Sequence, residues 1–399
     1  MVKSKMEAKQ LIYMDYSATT PVDDRVIQAM IPYWRDEWGN PSSAHQFGQA
    51  AKLGLETARR SIANLLGAKS SEIVFTGSGS EADNLALRGV MHYAQKTGRA
   101  GHFIVSEIEH EAILKTAQQL AESIDFECTV LPVNQFGQIE VQQFKAAIRP
   151  NTVLASIMTA SNEIGSFQPI SEIGEICREN QITFHTDAVQ AAQYIDWNLK
   201  DMPIDILSMA PHKFYGPKGV GIMYIRTGTP IISTMTGGGQ EDGRRAGTVN
   251  VPFAIGAAKA LELAMEQREQ VCSQAQKLRD RLIDGVLKIF PSDHVQLTGH
   301  PTDRLPNHAS FAFKEIPGGD LVMHLDLAGI AASSGSACSS GNPIPSSVLQ
   351  SIGLDSYWNA GGLRLTVGKH TTEEDIDTLL ETLPIAVTSL QKFSMILHG

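Results

Sequence analysis

The sequence predicts an α/β protein whose mainly parallel sheet is covered by helices on both faces. Apolar, strand-like runs alternate with helical segments between residues 72 and 225. Glycines or polar residues follow most of these strands, and parallel sheets bind ligands at the carboxyl ends of their strands. A chain of 399 residues is also long enough for two domains with a large buried core.

Apolar periodicity and turn signals place the individual elements. Strands are predicted at residues 11–15, 72–75, 102–106, 126–131, 153–158, 182–187, 204–209, 220–225 and 309–313. Helices are predicted at residues 23–33, 49–66, 142–148, 170–180, 252–289 and 319–328, and a last helix begins at a Thr371-x-x-Glu374 capping box. The long helix 252–289 is expected to be the hinge to a second domain.

Composition excludes several classes of function. Hydrophobic content of 42% and charged content of 19% are typical of a soluble globular protein. No apolar run reaches the roughly eighteen residues of a membrane helix, and residues 1–10 lack the apolar core of a secretory signal. The net charge of -10 and the absence of a basic stripe argue against nucleic-acid binding.

Cysteine usage indicates a reduced, cytoplasmic protein. The four cysteines are far apart and include no CxxC pair, which disfavours a structural zinc site and a disulfide framework: Cys128, Cys177, Cys272 and Cys338. Three of them lie in helix-like or strand-like surroundings and are expected to be structural. Cys338 lies among serines and glycines in residues 333–345, where we expect it to be exposed and mobile, as a reactive thiol would be.

The stretch 208–221 (SMAPHKFYGPKGVG) contains the strongest chemical signal, the amine of Lys213. An apolar strand ends at this lysine, and a rigid glycine- and proline-containing loop follows. A lysine that is fixed and partly desolvated is suited to forming a Schiff base with a carbonyl carbon. The alternative is an ordinary solvated surface charge, which is the interpretation for nearby Lys218.

Residues 72–84 (EIVFTGSGSEADN) predict a strand, a glycine-rich turn and a helix. Free amides at a helix N-terminus form an anion site that suits a phosphate. Residues 77–82 also match the relaxed dinucleotide fingerprint GxGxxA, so a nicotinamide-dependent oxidoreductase is an alternative. No acidic residue follows the next strand at the expected spacing, and a single phosphate is the preferred interpretation.

Other polar side chains follow strands in the same way. His110 is either a surface residue, a metal ligand without the spacing of a metal motif, or an imidazole stacked on an aromatic cofactor. Asp187, followed closely by Gln190, either caps the next helix or bonds a protonated pyridinium nitrogen. Asn162 follows the strand at 153–158. Residues 236–248 form a glycine- and arginine-rich loop that is too polar to be core.

These motifs together resemble pyridoxal-phosphate enzymes of the cysteine desulfurase family, in its NifS- and IscS-like branch. The resemblance covers nearly the whole chain, at residues 15–21 (DYSATTP), 39–43 (GNPSS), 162–165 (NEIG), 212–213 (HK), 237–248 (GGGQEDGRRAGT), 334–338 (SGSAC) and 363–368 (LRLTVG). It implies fold type I, with a seven-stranded, mainly parallel sheet in a large domain, residues 17–260. A smaller α+β domain would comprise residues 1–16 and 261–399. The family's homodimer and its pyridoxal 5'-phosphate cofactor are implied as well.

The resemblance also implies roles for residues at the cofactor. Lys213 looks like the Schiff-base lysine that moves the substrate α-proton, Asp187 would keep the pyridinium nitrogen protonated, and His110 would stack on the ring. The phenolic oxygen side would be bonded by Gln190 and Asn162. The phosphate would be held by Gly79, Ser80 and His212, with Thr248 reaching across from the other subunit.

The remaining implied roles concern the substrate, L-cysteine. Arg364, with Asn162 close by, would clamp its carboxylate in the bidentate way that suits arginine. Cys338 would attack the sulfur, releasing alanine and keeping a persulfide for a sulfur-acceptor or iron-sulfur scaffold protein. The number of residues between Cys338 and Arg364 matches the family's long-loop branch, which favours delivery of the sulfur to protein acceptors over a closed pocket. Ala210 and Pro211 depart from the family's usual serine and glycine, which removes one phosphate contact worth about 1 kcal/mol.

Three alternatives to a cysteine desulfurase stay open at this point. Selenocysteine lyase, or a related cysteine or cystine lyase, shares the lysine and differs in selectivity. A nicotinamide-dependent oxidoreductase would use residues 77–82 and give Lys213 no role. A non-catalytic scaffold would have little reason to keep Lys213, Asp187, His110, Cys338 and Arg364 together. No metal site is predicted.

Overall fold

The computed structural model describes residues 11–99, 101–123, 126–334 and 345–398. Its helices are α1 Asp24–Arg35, α2 Gln46–Leu65, α3 Gly79–Lys96, α4 Glu111–Ser123, α5 Val141–Ala147, α6 Ile170–Glu179, α7 Val251–Ile289, α8 Gly318–Leu327, α9 Ser347–Ser351 and α10 Glu373–His398. Its strands are β1 Ile12–Tyr13, β2 Ile73–Thr76, β3 His102–Ser106, β4 Glu127–Leu131, β5 Thr152–Ser156, β6 Thr183–Asp187, β7 Ile206–Met209, β8 Gly221–Ile225, β9 Gly239–Gln240, β10 Arg245–Ala246, β11 Val295–Leu297, β12 His308–Phe313, β13 Ile330–Ala331 and β14 Gly362–Thr366.

The largest sheet has seven strands in the order β2-β8-β7-β6-β5-β3-β4. The five strands β7, β6, β5, β3 and β4 are parallel to one another, whereas β8 is antiparallel to both β2 and β7. The chain places β4 on one side of β3 and then β5 on the other side of β3. Such a reversal of strand order opens a crevice at the carboxyl ends of the strands. The predicted α/β fold with a mainly parallel sheet is confirmed.

Except at the half-exposed edge strand β4, both faces of this sheet are buried, and alternate strand residues pack into different apolar clusters. Phe75, Ile104 and Ala155 belong to a cluster that includes residues of α2, α6 and the first part of α7. Their neighbours Val74 and Phe103 belong to a second cluster with residues of α3 and α4. Period-2 alternation between two apolar layers explains why these strands appear in the sequence as continuous apolar runs.

A third core is built by the end of the chain together with β1. It packs the antiparallel sheet β11-β12-β14 and the β1–β13 pair against α8, α10 and the second half of α7. The 39-residue helix α7 contributes Ala254 and Leu261 to one core and Leu282 and Val286 to the other. The two cores therefore meet along α7, and the division into domains 17–260 and 1–16 with 261–399 stays a prediction.

Predicted helices agree with the observed ones to within three residues at each end, and α4 and α9 are additional. The capping box of α10 is shifted by one residue. Thr372 Oγ1 accepts from Asp375 N at 3.1 Å and Asp375 Oδ2 accepts from Thr372 N at 2.8 Å, whereas Thr371 Oγ1 accepts from Gly368 N. The polar loop 236–248 contains the short antiparallel pair β9–β10. No helix in the described ranges has the length and apolarity needed to cross a bilayer.

Candidate active site

A cavity of about 470 Å³ opens where β6 and β7 end and α3 begins. Nine of the residues that the sequence predicts at the site line it: Gly79, Ser80, His110, Asn162, Asp187, Gln190, His212, Lys213 and Arg364. Thr248 is exposed and is not among the described residues that line the cavity. Cys338 lies outside the described residues. The structure thus gathers the predicted side chains at one place, while their individual roles stay predictions.

Lys213 ends a short 3-10 turn that follows β7 directly, as the sequence indicates. Its amine donates to two backbone carbonyl oxygens, at 2.6 Å to Ser17 O and 2.8 Å to Ala18 O. Burial, helped by the nearby positive charge of Arg364, lowers the pKa of Lys213 to about 8. The amine is therefore held by neutral acceptors and is deprotonated far more readily than an ordinary lysine, which suits a nucleophile.

This lowered pKa predicts the pH dependence of cofactor attachment to the apoprotein. Only the neutral amine attacks an aldehyde, so the attachment rate should rise with pH and level off above about 8. Stopped-flow absorbance after mixing apoprotein with pyridoxal phosphate measures this profile. A midpoint close to the 10.5 of an ordinary lysine would contradict the burial argument.

The turn before α3 has the geometry of an anion site. Ser78 caps the helix by accepting from Glu81 N, and Glu81 Oε2 in turn accepts from Gly77 N at 2.8 Å. Ser78, Gly79 and Ser80 line the cavity, and the first amides of a helix have no partner within the helix. A Cβ added to Gly79 would lie 3.0 Å from Val189 Cγ2, so this close approach of elements favours glycine.

His212 lies beside this turn and hydrogen-bonds through Nδ1 to Thr19 Oγ1 at 3.1 Å. Burial, followed by the positive charges of Lys213 and Lys218, lowers the pKa of His212 to about 4. The ring is therefore neutral at physiological pH, and it would contact a phosphate as a hydrogen-bond partner. Ala210 is buried at the cavity wall, and its methyl group offers that phosphate no bond.

Asp187 lines the cavity and caps a turn, and no helix follows β6, so the predicted helix cap is wrong. Its bond to a pyridinium nitrogen stays a prediction. Its Oδ1 accepts from Val189 N at 2.8 Å. Burial raises its pKa, while His110 and Lys213 act in the opposite direction. The neighbouring Asp83 is completely buried, and burial and the proximity of Asp187 raise its pKa well above the ordinary value. We infer that the negative charge of this pair resides on Asp187, which has cations nearby.

Sequence reasoning assigned no function to Asp83 or to Glu109, whose pKa is raised to about 8 by burial. Glu109 Oε1 accepts from Ser106 Oγ at 2.6 Å and from Met158 N at 2.9 Å. One signal for Asp83 exists in the sequence, since it shares a helical face with the apolar residues Leu87 and Val90. An acid on an apolar helix face indicates a buried, protonated group or a buried partner.

Arg364 lies in β14, and its guanidinium hydrogen-bonds to two segments that are distant in sequence, at Asp15 and Asn162. Its Nη2 donates to Asp15 Oδ1 at 2.9 Å, and its Nη1 donates to the backbone oxygen of Asn162 at 3.0 Å. The buried Nε has no hydrogen-bond partner in the described part of the chain. The contact with Asp15 was not predicted, because 349 residues separate the two side chains.

Asp15, Ser17 and Ala18 line the cavity beside Lys213. Ser17 O accepts from Gln190 Nε2 at 3.0 Å as well as from Lys213, and Ser17 N donates to Thr366 Oγ1 at 3.0 Å. Ser17 lines this cavity, and its buried Oγ has no hydrogen-bond partner among the described residues. An amine, an anion site, an acid and unpaired polar atoms around one cavity fit a phosphorylated aromatic aldehyde.

The loop that carries Thr248 is anchored to α2 and α3 by ion pairs. Arg59 pairs with the almost completely buried Glu241, whose backbone adopts a positive φ of 52°. Arg245 pairs with Glu81, whose carboxylate also accepts from Gly77 N in the turn before α3. Thr248 is thus held at the surface, away from the cavity of its own chain.

The fold and cavity define an α/β enzyme of the kind that holds a phosphorylated cofactor on a lysine. The profile of the Aminotransferase class-V family matches residues 12–379. A protein named cysteine desulfurase IscS from Methanosarcina thermophila is 47% identical over 383 residues, which are 96% of this chain and 93% of that protein.

Solved structures give the same result. A NifS-like protein superposes with a TM-score of 0.89 at 36% identity and covers 96% of this chain and all of its own. SspA in complex with cysteine has a TM-score of 0.79 at 34% identity, with 90% of this chain and 100% of that chain covered. The chain belongs to the class-V aminotransferase family and, within it, to the cysteine desulfurases. Pyridoxal phosphate is the cofactor of this family, and the resemblance found in the sequence is confirmed.

Proposed function

We propose that the protein is an L-cysteine desulfurase that passes sulfur from cysteine through Cys338 to an acceptor protein. The observation that carries the proposal is the single cavity that joins the Lys213 amine, Asp187, the N-terminus of α3 and Arg364. Each group suits one part of a pyridoxal-phosphate site or of its amino-acid substrate. Neither an oxidoreductase nor a scaffold requires a buried lysine with a lowered pKa at that position.

Pyridoxal phosphate, when bound, supplies an electron sink that stabilises negative charge on the substrate α-carbon. The first amides of α3, with Gly79, Ser80 and His212, would hold its phosphate. Asp187 would bond the ring nitrogen and keep it protonated, which is supported by its place in the cavity wall and by His110 and Lys213, both of which act to lower its pKa. His110 would stack on the ring, and Gln190 and Asn162 would bond the phenolic oxygen side.

Arg364 would bind the substrate, and Lys213 would transfer its protons. Arg364 orients the amino acid by its carboxylate, and Asn162 lies beside it because its backbone oxygen accepts from this guanidinium. The Lys213 amine, whose pKa is about 8, can take the α-proton and return a proton to the product near neutral pH. Correct orientation of the reacting atoms by such fixed groups is a large part of the rate enhancement.

Cys338 would complete the reaction as the nucleophile. The carbon–sulfur bond of cysteine breaks, the substrate sulfur bonds to Cys338 Sγ, and the β-carbon receives a proton, so that cysteine and a thiol become alanine and a persulfide. Among the described cysteines, burial raises the pKa of Cys128 to about 12 and also raises the pKa of Cys177 and Cys272. These three thiols are poor nucleophiles at neutral pH, which supports the assignment to Cys338.

A homodimer is part of the proposal, with Thr248 contributing to the phosphate site of the partner subunit. Exposed aromatic side chains support it, since Trp38 and Phe47 stack on each other at 5.4 Å while 64% and 55% exposed. The acceptor would be a protein that builds iron-sulfur clusters or other thio-cofactors. We place this activity in the cytoplasm, consistent with reduced cysteines.

Purified protein loaded with pyridoxal phosphate tests the proposal directly. With L-cysteine and excess dithiothreitol, we expect alanine and sulfide in equal amounts, because the thiol reduces the Cys338 persulfide after each cycle. L-serine, which lacks the sulfur, should give neither product. A loaded enzyme that forms no alanine from L-cysteine would rule out the proposed function.

A further inference from the structure

Asp15 lines the cavity and has no role in the proposed reaction. Its carboxylate accepts from Arg364 Nη2 at 2.9 Å, and both side chains line the cavity. The Arg364 side chain is 7% exposed and the Asp15 side chain is 18% exposed. The open side of this ion pair is therefore the carboxylate, and it faces the space into which a substrate must enter.

The charges around the cavity are nearly balanced before any ligand binds. The acids are Asp15, Asp83 and Asp187, and the cations are Lys213 and Arg364. Burial and the proximity of Asp187 raise the pKa of Asp83, which favours its uncharged form. Asp187 and Lys213 are engaged by the cofactor in the proposed function. Asp15 and Arg364 then remain as the charged pair that meets the substrate.

A substrate carboxylate has to share Arg364 with Asp15. Arg364 Nη1 is already bonded to Asn162 O, and Nη2 is bonded to Asp15, so one guanidinium serves two carboxylates after binding. A cysteine side chain adds no further charge. A side chain that carries a sulfinate or a carboxylate adds a second negative charge to the cavity that Asp15 lines.

We propose that Asp15 is a specificity-determining residue that selects amino acids with uncharged side chains and rejects those with anionic side chains. This inference rests on the proposed function, which supplies the amino-acid substrate. Asp15 acts by electrostatic repulsion and by sharing Arg364, so it discriminates at the side chain without touching the bond that breaks.

The wild-type protein gives a first test that needs no variant. L-asparagine and L-aspartate have nearly the same shape and differ in charge, and spectral titration of the loaded enzyme measures the dissociation constant of each. We expect L-aspartate to bind at least about tenfold more weakly, as one repulsive charge a few ångströms away predicts. Equal affinities for the two amino acids would overturn the inference.

The Asp15→Asn variant gives the second test, with L-cysteine sulfinate as the anionic substrate. In that reaction the carbon–sulfur bond breaks, the β-carbon takes a proton, and sulfur dioxide leaves and hydrates to sulfite, so alanine reports turnover of both substrates. We expect the ratio of kcat/KM for L-cysteine sulfinate to kcat/KM for L-cysteine to rise at least about tenfold in Asp15→Asn. Asp15→Glu, which keeps the charge, should stay near the wild-type ratio.

Asp23→Asn is the matched control, because Asp23 is an acid of the same segment that pairs with Arg25 and Lys369 away from the cavity. It should leave the substrate ratio unchanged. A ratio in Asp15→Asn that equals the wild-type ratio would overturn the role of Asp15 while leaving the desulfurase proposal intact. Failure of the wild-type enzyme to release alanine from L-cysteine would instead refute the proposed function.

Discussion

Replacing Lys213 by alanine will remove the covalent attachment of pyridoxal phosphate and lower turnover of L-cysteine by at least about a thousandfold. A positioned proton-transfer group alone contributes about a hundred to ten thousandfold, and Lys213 also provides the attachment point. The measurement is the visible spectrum of the purified protein, followed by borohydride reduction and identification of the labelled peptide. The wild-type label should be on Lys213.

Lys218→Ala is the control for this experiment. Lys218 is exposed, lies five residues after Lys213 and belongs to the same loop. Its replacement should leave the spectrum and the labelled peptide unchanged. If Lys213→Ala still carried covalently bound cofactor after borohydride reduction, denaturation and desalting, the assignment of the cofactor lysine would be wrong.

Replacing Cys338 by serine will abolish persulfide formation and lower sulfide release by at least about a thousandfold, because no other group takes the sulfur from the substrate. The variant should still bind pyridoxal phosphate and show the wild-type spectrum, since Cys338 has no role in holding the cofactor. Spectra and alanine formation, both measured with excess dithiothreitol, separate these two effects.

Cys128→Ser provides the matched control, because Cys128 is a half-buried thiol on the edge strand β4. This change should leave sulfide release close to that of the wild type. Retained sulfide release by Cys338→Ser at limiting thiol concentration would show that the sulfur leaves by another route.

The sequence predicts most of this fold because the sheet is buried on both faces. Apolar runs of four to six residues between helical segments have few alternatives to parallel strands. The α10 cap was predicted one residue too early for a local reason. Thr371 and Thr372 are each followed three residues later by an acid, so the sequence offers two equivalent boxes, and packing selects the second.

Site residues at strand ends were predictable because chemistry and position agree there. Lys213 follows β7 and Asp187 ends β6, and both line the cavity. The ion pair between Asp15 and Arg364 was not predictable in this way, since 349 residues separate its members and neither flanking sequence indicates a partner. The raised pKa of Asp83 likewise depends on burial and on the proximity of Asp187, which only the tertiary structure provides.

The most direct test of the account is a single turnover of the loaded enzyme with L-cysteine in the absence of any reducing thiol. We predict one alanine per active site, together with a peptide containing Cys338 that has gained the mass of one sulfur atom. The gain should disappear after treatment with dithiothreitol. Alanine formed without a sulfur on Cys338, or sulfur found on another cysteine, would contradict the central claim.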